Sequence, residues 1–99
     1  TQFLVVDHNP DVAEKYSALG IPVLCGDITD PHIQELAALK TAKLVISTLP
    51  DLNDNLMVID AVAQNKSKTK VIVTAQEESD ATILYDRNTD YVILPHFIG

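Results

Sequence analysis

The sequence predicts a three-layer α/β domain built on a doubly wound parallel sheet. Two observations carry this: five short apolar runs rich in β-branched residues, at 3–6, 22–25, 44–46, 71–73 and 91–94, and stretches of helical period between them. Most of the runs are continuously apolar, as a strand covered on both faces requires, so helices are expected above and below the sheet.

The elements follow in order along the chain. After the first run, Asn9 places a capping side chain ahead of a first-turn proline, Pro10. Val12, Tyr16 and Leu19 then recur at helical spacing, and Gly20 can close the helix. Past the second run, Asp30 and Pro31 repeat that punctuation before Ile33, Leu36 and Ala37. The third run leads to Leu52, Leu56, Ile59 and Ala63, a further apolar stripe. The fourth leads to Ala81, Leu84 and Tyr85 within a helix expected near residues 79–87, with Asn88 a candidate C-terminal cap. The order is β-α-β-α-β-α-β-α-β, and right-handed crossovers between parallel strands turn it into an α/β sandwich. No linker, repeat or low-complexity segment divides residues 1–99. One domain is expected, burying roughly two-thirds of its unfolded surface.

Composition excludes several function classes. Hydrophobic residues make up 46% and charged residues 21%, a balance that supports a folded globule over disorder. Fourteen acids against seven Lys and Arg give a formal charge of −7, and no basic cluster is present to neutralise phosphates, so nucleic acid is not an expected partner. The longest apolar runs, 3–6 among them, are far short of the ~20 residues that span a bilayer, so direct membrane insertion is not expected. Cys25 stands alone within an apolar run, which leads to the expectation of a buried thiol and a cytoplasmic location. Thr1 in place of an initiator methionine leads to the expectation of a fragment or processed product. His8, His32 and His96 lack metal-site spacing, and no nucleophile, base and orienting acid can be assembled, so neither metal binding nor catalysis is expected. Glu77 and Glu78 read as a solvated helix entry.

Three clusters fall at carboxyl ends of predicted strands, where open α/β sheets bind ligands. They are Asp7-His8-Asn9-Pro10, Gly26-Asp27-Ile28-Thr29-Asp30-Pro31, and Ser47-Thr48-Leu49-Pro50-Asp51 with Asn55 beyond. Each has a plainer reading. Asp7 suits the turn into the first helix, Gly26-Asp27 an ordinary strand exit, and Asp30 a helix cap. Thr48 suits a cap on the helix containing Asn55, whose amide can satisfy loop backbone groups.

The ordered set of Asp7, the GDITDP stretch, Asn55-Leu56 and the ending Tyr91-Val92-Ile93-Leu94-Pro95-His96 resembles the TrkA-N, or RCK N-terminal, domain over nearly the whole chain. That is the Rossmann-like regulatory module of potassium channels and Kef-type cation/proton antiporters, and the STLPD and YVILPH segments look most like the antiporter branch. The resemblance implies that Asp7 accepts the hydroxyls of an adenosine ribose, which a strand-end acid can do in bidentate fashion. It implies that Asp27 with Ile28 meets the adenine edge, and that Thr48 and Leu49 lie along the phosphate or second ribose. Gly26 would allow close backbone approach. The implied ligands are NAD/NADH or AMP/ATP. The implied partners are the transmembrane region of a transporter or channel and a second copy in a homodimer, with helices of the C-terminal half in contact.

The family's domain normally opens with a further strand and GxGxxG, whose helix amides hold pyrophosphate. This sequence holds only Gly20, Gly26 and Gly99, so dinucleotide affinity is expected to be poor, or absent, in the chain as it stands. In the strand order 3-2-1-4-5-6 that missing strand is central. Leaving a gap there would strand backbone donors and acceptors. The remaining strands are therefore expected to close into the order 2-1-3-4-5, unless another chain or an upstream segment fills the place. That order is shared with response-regulator receivers, a rival reading that lacks the phosphoacceptor Asp, because Ile46-Ser47-Thr48 stands at the third strand's end. Half of a nicotinamide-dependent dehydrogenase is the other alternative, with nothing here to supply its substrate domain.

Overall fold

The structure, a computed structural model, describes residues 3–25, 42–64, 69–87 and 89–95. Among these, β1 (Phe3–Asp7), α1 (Pro10–Ala18), β2 (Val23–Cys25), β3 (Leu44–Ser47), α2 (Leu52–Gln64), β4 (Lys70–Thr74), α3 (Glu78–Asp86) and β5 (Tyr91–Ile93) alternate as expected. The helix expected around Ile33 to Ala37, its Asp30-Pro31 punctuation and the candidate cap Asn88 lie outside the described residues.

The five strands form one parallel sheet in the order β2-β1-β3-β4-β5. β1 pairs directly with β3 in the register Phe3 to Leu44 through Val6 to Ser47, so the sheet is closed where an intervening strand would otherwise stand. The expected 2-1-3-4-5 arrangement is therefore realised, with every interior strand hydrogen-bonded on both sides.

The chain leaves β1 toward β2 in one direction and runs from β3 to β5 in the other. Right-handed crossovers consequently put α1 on one face and α2 with α3 on the opposite face. On the α2 and α3 side lies the main core. Leu4, Val6, Val45, Val71, Val73 and Val92 project from alternate strand positions against Val58, Ile59 and Val62 of α2 and Ala81 and Leu84 of α3. The other face is covered less completely. Val5 is buried there, but Ile46 and Ile72 are half-buried and Tyr91 and Ile93 are 59% and 39% exposed. Full coverage of both faces, the expectation from the continuous apolar runs, thus holds at the centre of the sheet and fails toward β5. That strand is an edge, and its Val92 N–H donates to the Tyr85 hydroxyl at 3.1 Å.

Local signals account for the first crossover. Asn9 is extended and its side chain accepts from the Asp11 amide at 2.9 Å, with Pro10 in the first turn. At the far end Gly20 has φ +79°, donates to the Ser17 carbonyl, and is followed by a bond from Ile21 N–H to Tyr16 O, both at 3.0 Å. That pair of bonds is a Schellman closure, which needs the left-handed conformation glycine adopts without strain. Leu19, expected on the helix's apolar stripe, is instead its C-cap and 75% exposed. Cys25, expected to be buried, is exposed, because β2 is an edge strand and its last residue reaches the sheet rim.

Candidate functional site

The carboxyl ends of β1 and β3 meet at the point where the chain's crossovers diverge to opposite faces, the place where open α/β sheets bind ligands. Asp7 and Thr48 lie there, one at each strand end. Asp7 is only 6% exposed, and both of its carboxylate oxygens already have donors. Oδ1 accepts from the Asn9 amide at 2.7 Å, forming the turn into α1. Oδ2 accepts from the Thr48 hydroxyl at 2.5 Å. Thr48 N–H donates to the Val6 carbonyl at 3.0 Å, and the Thr48 hydroxyl lies 3.1 Å from that same oxygen. A hydroxyl carries one hydrogen, and the carboxylate is both nearer and the stronger acceptor, so Asp7 receives it.

Beneath this pair a buried network sets the loop that follows β3. Ser47 and Asn55 are both fully buried. Ser47 Oγ donates to Asn55 Oδ1 at 2.6 Å and accepts from Leu49 N–H at 3.3 Å. Asn55 Nδ2 spends its two hydrogens on Leu49 O at 2.8 Å and Thr74 O at 2.7 Å, while Thr74 Oγ1 donates to Ser47 O at 2.9 Å. One amide thereby ties the ends of β3 and β4 to the loop, so the position of Thr48 is dictated from below. Sequence reading reached Asn55 as a residue that satisfies loop backbone, but not Ser47 or Thr74, whose partners are distant in sequence. Thr48 does not cap α2. That role falls to Asp51, whose Oδ1 accepts from Asp54 N–H at 3.1 Å, a cap legible in principle from an acid directly before an apolar stripe.

The other anticipated contacts divide. Leu49 turns its side chain into the core, 3% exposed, and spends its backbone N–H and C=O on Ser47 and Asn55. Gly26, Asp27 and Ile28 lie outside the described residues, although Cys25, just before them, is paired with Asp7 across β1 and β2.

Asp7 sets a carboxylate at the rim, with both oxygens engaged by Asn9 and Thr48. Pyrophosphate finds no cradle among the described residues. The N-terminus of α1 has a proline, an amide already taken by Asn9, and the acid Asp11. The N-terminus of α2 is closed by Asp51 and carries Asp54. No group of three or more His, Cys, Asp or Glu that could hold a metal ion occurs among the described residues, and no described helix is long and apolar enough to cross a membrane.

The fold recurs in known proteins. The TrkA-N domain of the Escherichia coli inner membrane protein ybaL superimposes with a TM-score of 0.75 over 94% of this chain and 86% of that one, at 15% identity, a likeness of fold alone. The GsuK channel, solved bound to NAD, matches with a TM-score of 0.66 at 25% identity over 93% of this chain and 17% of the channel. In sequence, the glutathione-regulated potassium-efflux system protein KefC of Cronobacter sakazakii and that of E. coli O139:H28 are each 28% identical over 76 residues. Those alignments take in 77% of this chain, which spans only 12% of the length of KefC. The strand-end acid, the loop after β3 and the helix that carries Asn55 all fall within residues 1–95, the stretch that matches the TrkA-N domain, and the chain belongs to that family.

Proposed function

We propose that this domain is a cytoplasmic regulatory module that binds an adenine nucleotide or NAD(H) within a potassium or cation/proton transport protein, and that it catalyses no reaction. The observation that carries the reading is the position of Asp7 and Thr48 at the carboxyl ends of β1 and β3, where the crossovers diverge, in a chain of the TrkA-N family. The names of KefC, a potassium-efflux protein, and of the NAD-bound GsuK channel support the choice of ligand and of transported ion. In this reading Asp7 takes the ribose hydroxyls, and Asp27 with Ile28 takes the adenine edge. Gly26 admits the ligand's approach, while Thr48 and the backbone of Leu49 line the phosphate side. A bound nucleotide biases the open or closed state of the attached transmembrane region only as far as it prefers one packing of the domain over the other. Homodimerisation through the C-terminal half, where Ile83, Tyr85, Tyr91 and Ile93 are exposed, belongs to the same proposal.

Of the rival readings, a phosphorylated receiver is disfavoured by Ser47, fully buried at the phosphoacceptor's place and bonded to Asn55. Titration calorimetry tests the proposal. AMP, ATP, NAD and NADH are titrated into this chain and into a version extended upstream by a strand and glycine-rich turn. Dinucleotide binding is expected in the extended form alone, because the described residues offer the pyrophosphate no cradle. Replacing Asp7 and Asp27 together by alanine is expected to weaken it at least tenfold, the scale of losing a charged hydrogen-bond pair. Undiminished binding by the double variant would remove both residues from the site, and turnover of NADH would revive the dehydrogenase reading.

A further inference from the structure

We infer that the Tyr85 hydroxyl guards the outer edge of the sheet at β5: it takes the one N–H that Tyr91–Ile93 turns outward, and so keeps a second copy of this chain from adding its own β5 there. β5 is an outer strand in the order β2-β1-β3-β4-β5, and its inner side is spent on β4. Ile93 O accepts from Ala75 N–H at 2.9 Å, so Ile93 faces β4 with its backbone, and Tyr91, two residues back, does the same. Val92 between them turns its N–H and its carbonyl away from the sheet. That N–H is met by the Tyr85 hydroxyl at 3.1 Å, so the oxygen stands where the carbonyl of an incoming strand would have to stand. Leu84, fully buried, fixes α3 over the sheet, and Tyr85 follows it ~100° further round the helix, toward the strand edge.

Outer strands are commonly blunted by a charged residue or a proline, and Tyr91-Val92-Ile93 holds neither. Tyr91 and Ile93, 59% and 39% exposed, add β-prone apolar surface beside the edge. Val92 lies at the middle of the strand. Two copies related by a two-fold axis could therefore exchange N–H to carbonyl bonds between their Val92 residues, an antiparallel pairing that looks the same from either chain. The guard excludes that pairing. A homodimer built on the exposed residues of this region then packs side chain against side chain, with β5 left unpaired.

Tyr85→Phe keeps the ring and removes the hydroxyl. Amide hydrogen exchange of the intact chain, read residue by residue by NMR, is measured at low and high protein concentration, and sedimentation velocity follows association in the same samples. The amide spectrum also reports that each variant is folded. In dilute Tyr85→Phe, exchange at Val92 is expected to be roughly tenfold faster than in the parent chain, the scale of one lost hydrogen bond, with Ala75 unchanged. As concentration rises, the variant is expected to sediment increasingly as a dimer and Val92 to regain protection, because the second copy's carbonyl supplies the missing acceptor. The parent should keep the same Val92 protection at every concentration. Adding Ile93→Lys, which places a charge on the outer strand, is expected to abolish the association and leave Val92 exchanging fast throughout. Equal Val92 exchange in dilute parent and dilute Tyr85→Phe would overturn the hydroxyl's hold on the edge. Faster exchange with no added association, or association that leaves Val92 unprotected, would show a hydrogen bond that guards nothing and would overturn the inference as well.

Discussion

Replacing Asn55 by leucine is expected to destabilise the domain by about 3–5 kcal/mol, a large share of the roughly 5–15 kcal/mol that holds a domain of this size folded. The side chain is fully buried and satisfies three groups at once: the Ser47 hydroxyl, the Leu49 carbonyl and the Thr74 carbonyl. Leucine matches its volume approximately, takes the amide donor away from two carbonyls and leaves the Ser47 hydroxyl without its acceptor. Each unpaired buried group costs about 1–3 kcal/mol, and Ser47 can recover part by turning elsewhere. Urea unfolding checks this, with a lower midpoint and an unchanged slope expected. The same variant should also loosen the 48–50 loop, visible as faster amide exchange at Thr48 and Leu49. A midpoint within experimental scatter of the parent would mean the network is not what holds the loop.

Leu84→Ala is expected to cost about 2–5 kcal/mol, by a different route. Leu84 is the largest fully buried side chain among the described residues, and it sits where α3 packs over the sheet with Val73, Val92 and Ala81 in the same cluster. Truncation removes apolar surface from burial and leaves a cavity that α3, held by Asp80 N–H and Ala81 N–H to Glu77 O at one end and Arg87 N–H to Leu84 O at the other, cannot fully collapse into. Thermal or urea unfolding measures the loss. By comparison, truncating Ile83, its neighbour on the same helix and 43% exposed, should change little.

The contrast between those two residues marks what was legible in the sequence. The type and order of the elements followed from apolar runs and helical spacing. The ends of α1 followed from Asn9, Pro10 and Gly20, because cap geometry depends on residues adjacent in sequence. What pattern alone missed was position within the sheet. Cys25 and Tyr91 lie in runs as apolar as those of β1, yet both are exposed because β2 and β5 are edges, which only strand order reveals. The rim was legible as a set of strand ends carrying Asp7 and Thr48. Their direct hydrogen bond was not, because it requires β1 and β3 to be adjacent. The family resemblance implies that Leu49 lies along the ligand, whereas its side chain is part of the core, since a loop held by Asn55 from below turns that residue inward.

The account depends most on β1 lying immediately beside β3, for this brings Asp7 and Thr48 together at the rim of the sheet. Interstrand nuclear Overhauser contacts in the isotope-labelled chain measure it directly. Neighbouring strands lie about 4.8 Å apart, so close contacts between Val6 and Thr48, and between Leu4 and Val45, are expected. Absence of those contacts, with β1 and β3 each showing contacts to a strand lying between them at a separation of about 10 Å, would contradict the account.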